Sequence, residues 1–190
     1  MIQRFTFGCP LPTESVVLPV EPAAAAVPYL TAEPDGSWSF SLAEDAVVYG
    51  LGEMPRGINK RGWHYVTDNT DESHHGENRL SYYGAHNFLL IDGGAGRSVF
   101  GVFVDFPGKV FYDIGYTRHD RLTFRTEEPD YDLYILTGDS PNAVCTEFRK
   151  LIGHSYIPPK WAFGATQSRW SYMNEDEVRE VVANYRTNNM

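Results

Sequence analysis

The chain is poor in several features that would have fixed its class at once. It has only two cysteines in 190 residues, Cys9 and Cys145, far apart and without metal-ligand spacing. That excludes a disulfide-framed scaffold. A reduced, cytoplasmic protein with two ordinary thiols is the simplest reading, and a single disulfide between them is left open. Long apolar runs are missing too. Ala23–Val27, the most apolar stretch near the start, is far short of the ~20 residues of a membrane helix, and Met1–Phe5 does not resemble a signal-peptide core. Basic residues are outnumbered, 16 against 25, for a net charge of −9. The deficit speaks against a phosphate-tracking nucleic-acid binder and against docking on anionic lipid. Gly50-x-Gly52 lacks the third glycine and the following helix of a dinucleotide motif.

What remains is near the globular average, with 42% hydrophobic residues. A chain of this length buries a core without staples. Aromatics are generous, at 12 Tyr, 11 Phe and 4 Trp. Their apolar faces and polar tips suit cores, interfaces and sugar-stacking platforms alike.

The first 157 or so residues read as β-rich. Ser37–Leu42 alternates, with Trp38, Phe40 and Leu42 on one face, the period of a half-buried strand. Further strands are expected over Ile2–Phe7, Val47–Gly50, Trp63–Thr67, Asn87–Ile91, Val99–Val104, Val110–Ile114, Leu122–Arg125 and Tyr131–Leu136. Turn chemistry at Asp35-Gly36, Asp92-Gly93-Gly94, Pro107-Gly108 and Glu128-Pro129-Asp130 separates them. Pro19, Pro22, Pro28 and Pro34 mark a loop-rich start. Many short strands at this spacing imply a sandwich or barrel.

The pattern changes at Ser140-Pro141, a good N-cap followed by proline at the first helical position. Val144, Phe148 and Leu151 form one stripe, and Gly153 closes the helix. Pro158-Pro159 forms a rigid connector. Beyond it, Trp161–Gln167 reads as a short apolar strand. Asn174 reads as the N-cap of a helix whose face carries Val178, Val181, Val182 and Tyr185. A strand followed by a core-facing helix is the first half of a β-α-β unit, so the sequence leads us to expect the front part of a longer protein.

Six stretches in order carry a resemblance. They are Tyr49–Glu53, Tyr83–Phe88, Phe100–Asp105, Asp132–Gly138, Pro158–Gly164 and Gln167–Tyr172. Together they resemble the N-terminal part of glycoside hydrolase family 31, the α-glucosidase family, and most of all its bacterial intracellular members of gut Firmicutes type. The resemblance implies a mainly β fold: a galactose-mutarotase-like β-sandwich followed by the first β-α unit of an eightfold β/α barrel whose remainder is missing. It divides the chain into the sandwich at 1–139, a linking helix and connector at 140–157, and the start of the barrel at 158–190.

The implied chemistry is retaining hydrolysis of α-glycosidic bonds by two carboxylates ~5–5.5 Å apart. In the family both are aspartates on later barrel strands, expected beyond Met190, so no catalytic residue is expected in this chain, which alone would be inactive. The implied partners are an α-linked gluco-oligosaccharide and the rest of the barrel in the same polypeptide, with no cofactor or metal. The alternatives are a stand-alone carbohydrate-binding sandwich and a non-catalytic structural or assembly domain.

Two residues are candidates for contacting substrate. The first is Asp71, in the polar segment Asp68–Glu77. Read from the residues alone, this segment is a solvated loop whose aspartates make local turns. In the resembling family a sandwich loop donates an aspartate to substrate hydroxyls, and Asn69-Thr70-Asp71 matches that position. A carboxylate can accept hydrogen bonds from two adjacent hydroxyls. The second is Trp170, which follows the first expected barrel strand at the end where such barrels place their sites. Its other reading is a core or boundary tryptophan. Arg169 reads as structural. His74-His75 looks like a metal pair but lacks further ligands at a known spacing.

Overall fold

The computed structural model describes residues 1–25, 30–94 and 98–190. Pro28 and the end of the Ala23–Val27 run lie outside them. The chain forms two compact units, Met1–His154 and Ser155–Met190.

Among the described residues of the first unit, ten strands run in chain order: β1 (Ile2–Phe7), β2 (Leu30–Ala32), β3 (Trp38–Ser41), β4 (Val47–Gly52), β5 (Trp63–Thr67), β6 (Ala85–Asp92), β7 (Val99–Asp105), β8 (Val110–Ile114), β9 (Arg121–Thr126) and β10 (Tyr131–Gly138). They make two five-stranded sheets, β1-β10-β7-β6-β4 and β2-β3-β9-β8-β5. Every neighbouring pair is antiparallel. Period-two alternation aims Phe40, Tyr65, Val110, Tyr112, Ile114, Leu122 and Phe124 of the second sheet at Val48, Leu89, Ile91, Val102, Leu133 and Ile135 of the first. Each fully buried aliphatic or aromatic side chain there contributes about 1.5–3 kcal/mol.

A second apolar layer covers the outer face of the first sheet. Helix α1 (Pro141–Ile152) starts at Ser140, whose Oγ accepts from the Ala143 N–H at 3.2 Å. Its Val144 and Leu151 are fully buried against Phe88, Leu90, Phe103, Tyr134 and Leu136. Phe148 lies flat on Phe88, with ring centroids 3.8 Å apart. The N-terminal segment joins this layer through Val16 and Val20. The Val17 N–H donates to the Leu151 carbonyl at 2.9 Å, closing the helix end. Arg4 on β1 grips Asp132 on β10 with two hydrogen bonds, of 3.0 and 2.8 Å, and Thr6 Oγ1 donates to the same carboxylate at 2.7 Å.

The motif Gly50-Leu51-Gly52-Glu53 is a bulge. All three of its first residues have positive φ (121°, 65° and 73°), and the pairing of β4 with β6 shifts register there. A Cβ at Gly50 would collide with the Phe88 carbonyl, and one at Gly52 with that of Gly84. The bulge buries Leu51 and joins Glu53 N–H to the Gly84 carbonyl at 2.9 Å.

The second unit holds a short 3-10 turn (Lys160–Phe163) and helix α2 (Glu175–Thr187), capped by Asn174, whose Oδ1 accepts from Glu177 N–H at 3.0 Å. The strand expected over Trp161–Gln167 does not form. A lone strand leaves its backbone groups unpaired, whereas the 3-10 turn satisfies some of them locally, with Ala162 N–H to Pro159 O and Gly164 N–H to Trp161 O.

Candidate functional site

Residues 68–84 connect β5 to β6 and carry the candidate Asp71. The loop is built from its own hydrogen bonds. Its two limbs are tied by Val66 N–H to Leu80 O and Thr70 N–H to Tyr82 O, both 3.2 Å, and by Ala85 N–H to Asn69 Oδ1 at 2.7 Å. Lys109 pairs with Asp68 at 2.9 Å and fixes the base of the loop to the β7–β8 turn. At the tip, Glu72 accepts from His74 N–H at 2.8 Å and from Arg79 Nε at 3.0 Å, and the Tyr82 hydroxyl donates to Gly76 O at 2.9 Å. This is a compact loop packed by its own side chains, the kind of connection that commonly carries function.

Asp71 is exposed at the bend between Thr70 and Glu72. The Tyr83 phenol lies near its carboxylate. Desolvation first, then Asp71 and the charges of Glu72 and Glu53, push that phenol above its usual range. His75 packs between Tyr82 and Tyr83, at 4.9 and 5.4 Å between ring centroids. The result is an open carboxylate beside an aromatic pair, with oxygens that can accept from hydroxyls. Tyr83 stands in one of the six resembling motifs, yet its role appears only when the two limbs of the loop come together. The bulge at Gly50–Gly52 holds the start of β6 close to Glu53, which lies beside Gly84. Two motifs distant in sequence therefore build one corner of the loop.

Below this corner, Lys60 is buried and its ammonium donates to three backbone carbonyls, those of Met54, Pro55 and Gly57, at 3.3, 3.2 and 2.7 Å. Burial holds its pKa below the usual lysine value. Nothing in the sequence pattern pointed to this residue. A buried lysine is recognised by the carbonyls around it, not by its neighbours in the chain.

Trp170 lies in the second unit and is fully solvent-exposed, which sets aside its reading as a core residue within this chain. Around it, Gln167 Nε2 donates to the Tyr172 hydroxyl at 2.7 Å, and the Arg169 guanidinium sits 5.8 Å from the Tyr172 ring. Tyr172 adopts φ of 74°, a costly conformation for an aromatic residue. These contacts join residues on either side of the exposed indole. His74, the other half of the histidine pair, is engaged by Ser73 Oγ at 2.9 Å. Cys9 and Cys145 are both free and exposed.

Comparison with known proteins places this geometry. The family model for the glycosyl hydrolase 31 N-terminal galactose mutarotase-like domain matches residues 26–113, and that for the family 31 TIM-barrel domain matches residues 155–190. The chain belongs to glycoside hydrolase family 31. Alpha-glucosidase 2 of Bacillus thermoamyloliquefaciens is 34% identical over 149 residues, which are 77% of this chain and 18% of that protein. Alpha-xylosidase 1 of Arabidopsis thaliana is 31% identical over 78% of this chain and 16% of its own length. Among solved structures, the family 31 dextranase FjDex31A of Flavobacterium johnsoniae, complexed with glucose, superposes with a TM-score of 0.70 at 26% identity, over 87% of this chain and 20% of that one. The family 31 chain described here thus spans about a fifth of the length of the relatives it matches. It comprises the mutarotase-like sandwich and a segment of the barrel domain.

Proposed function

We propose that these residues are the N-terminal portion of a retaining α-glycosidase, an α-glucosidase that removes terminal α-linked glucose from oligosaccharides. The chain supplies the sandwich and a substrate-binding loop. The nucleophile and the acid are carboxylates carried elsewhere in the polypeptide, and Asp71 and Trp170 contact the sugar. The domain limits proposed with this reading are 1–139, 140–157 and 158–190, and the compartment is the cytoplasm. Among the described residues no helix is long and apolar enough to cross a membrane.

The observation that carries the reading is the exposed Asp71 carboxylate on a loop braced against the Gly50–Glu53 bulge. Such an acceptor can bridge two vicinal hydroxyls without moving. The exposed indole of Trp170 suits the apolar face of a pyranose.

The test assays the complete polypeptide against maltose, isomaltose and an aryl α-glucoside, and follows the anomer of the released glucose by proton NMR. Release of α-glucose ahead of mutarotation supports the reading. Release of β-glucose, or no turnover of any α-glucoside, contradicts it.

A further inference from the structure

The sandwich carries a second feature that the loop does not use. Its β2-β3-β9-β8-β5 sheet bears an open groove of about 690 Å³ on the side away from the core. The floor follows from strand register. Thr123, Asp113 and His64 stand opposite one another across β9, β8 and β5, and Arg125, Phe111 and Val66 form the adjacent row across the same strands. The first row is polar, Phe111 and Val66 of the second are apolar, and Leu80, on the return limb of the Asp71 loop, is a wall.

The charges in this groove balance. Glu33, Asp35 and Asp113 face Arg118, Arg121 and Arg125. Several of these groups are held in place. Asp113 accepts from the Tyr116 and Thr117 N–H groups and meets His64 Nε2 at 3.0 Å. Arg121 donates to Ser39 Oγ at 3.1 Å and lies 3.6 Å from Glu33. One cationic group keeps donors to spare. The Arg125 guanidinium lies over the Phe111 ring at 4.0 Å, and stacking leaves its N–H edges open.

From this geometry we infer that the groove is a second carbohydrate-binding site, taking a neutral oligosaccharide of two or three pyranose units. The volume is that of a site for a ligand of this size. A pyranose has an apolar face for the Val66–Phe111–Leu80 side and a rim of hydroxyls that both donate and accept. That rim matches fixed carboxylates and guanidinium edges lying side by side. A ligand of either sign would meet like charge among these groups, so the balance selects a neutral one. The site is distinct from the Asp71 carboxylate and does not depend on its role.

The experiment titrates the 190-residue chain with isomaltotriose, maltotriose and, as a charged control, trigalacturonate, by calorimetry and by amide chemical-shift mapping. The expected result is saturable binding of a neutral trisaccharide, with shifts confined to residues 111–125 and 64–66. Arg125→Ala weakens it about tenfold, the factor equivalent to 1.4 kcal/mol. Arg125→Lys, which keeps the charge and the fold but not the planar edge, weakens it as well. The proposal is overturned by absence of binding, by shifts that map to residues 68–77 in place of the groove, by tighter binding of trigalacturonate, or by concentration-dependent dimerisation that moves the groove amides.

Discussion

Helices α1 and α2 start almost identically and end in opposite circumstances. Both have a side-chain N-cap, at Ser140 and Asn174, and both carry an apolar stripe at helical spacing. In α1 the stripe finds a sheet, and Val144 and Leu151 are fully buried. In α2, Val178 and Val182 are each 45% exposed, and no residue of the helix is buried. The same contrast runs through the aromatics. Phe40, Tyr65 and Phe124 vanish into the sandwich, whereas Trp161, Phe163 and Trp170 stand in solvent. Amphipathic pattern states what an element needs, and burial depends on whether the surrounding chain provides it.

The largest expected difference lies in the stripes themselves. Leu151→Ala should lower the unfolding free energy by about 2–5 kcal/mol, while Val182→Ala should stay within about 0.5 kcal/mol. Urea unfolding of the 190-residue chain measures both, and equal effects would break the contrast. Ion pairs come next. Asp132 is 10% exposed in its bidentate pair with Arg4, and Asp132→Ala should cost about 2 kcal/mol by orphaning a half-buried guanidinium. Glu175 and Arg179 form an i,i+4 pair with both side chains 73% exposed, and Glu175→Gln should cost no more than about 0.5 kcal/mol. Caps follow. Ser140→Ala should remove about 1 kcal/mol of global stability, whereas Asn174→Ala should reduce only the local helix signal, read from residue-specific carbonyl shifts.

A further effect, no larger than that of the caps, depends on pH. Burial works to raise the Asp113 pKa, but hydrogen bonds from Thr117, from the Tyr116 and Thr117 backbone and from His64 outweigh it and hold the carboxyl below its usual range. A carboxylate depressed in the folded state stabilises above its unfolded pKa of about 3.9 and loses that contribution as pH falls through the folded value. Asp113→Asn should therefore cost about 1 kcal/mol or less at pH 7, and the gap to wild type should close below about pH 4. A gap that persists at low pH would mean that the carboxylate's charge is not what matters.

How far the sequence carried depended on the range of the interaction. Strands such as Ile2–Phe7, Trp63–Thr67 and Val110–Ile114 were legible because period-two patterning is local. β2 was not, since three residues near Pro28 and Pro34 give no period to read. Trp161–Gln167 misled because a short apolar run fits a strand only if neighbours pair with it, which no local signal states. At the site, Asp71 came from resemblance and loop position. Its neighbour Tyr83 needed the closure of the loop, and the groove needed the register of three strands. Alternating outward polar residues such as His64 and Asp113 were visible, but what they form together was not.

The central functional claim is that a carboxylate on the sandwich loop holds the sugar, and the most direct test is the kinetics of Asp71→Asn and Asp71→Ala in the complete polypeptide, with maltose and isomaltose as substrates. Loss of charged hydrogen bonds worth about 1.5–3 kcal/mol should lower kcat/KM by roughly tenfold to a hundredfold at unchanged thermal stability. Unchanged kcat/KM in both variants would contradict the account.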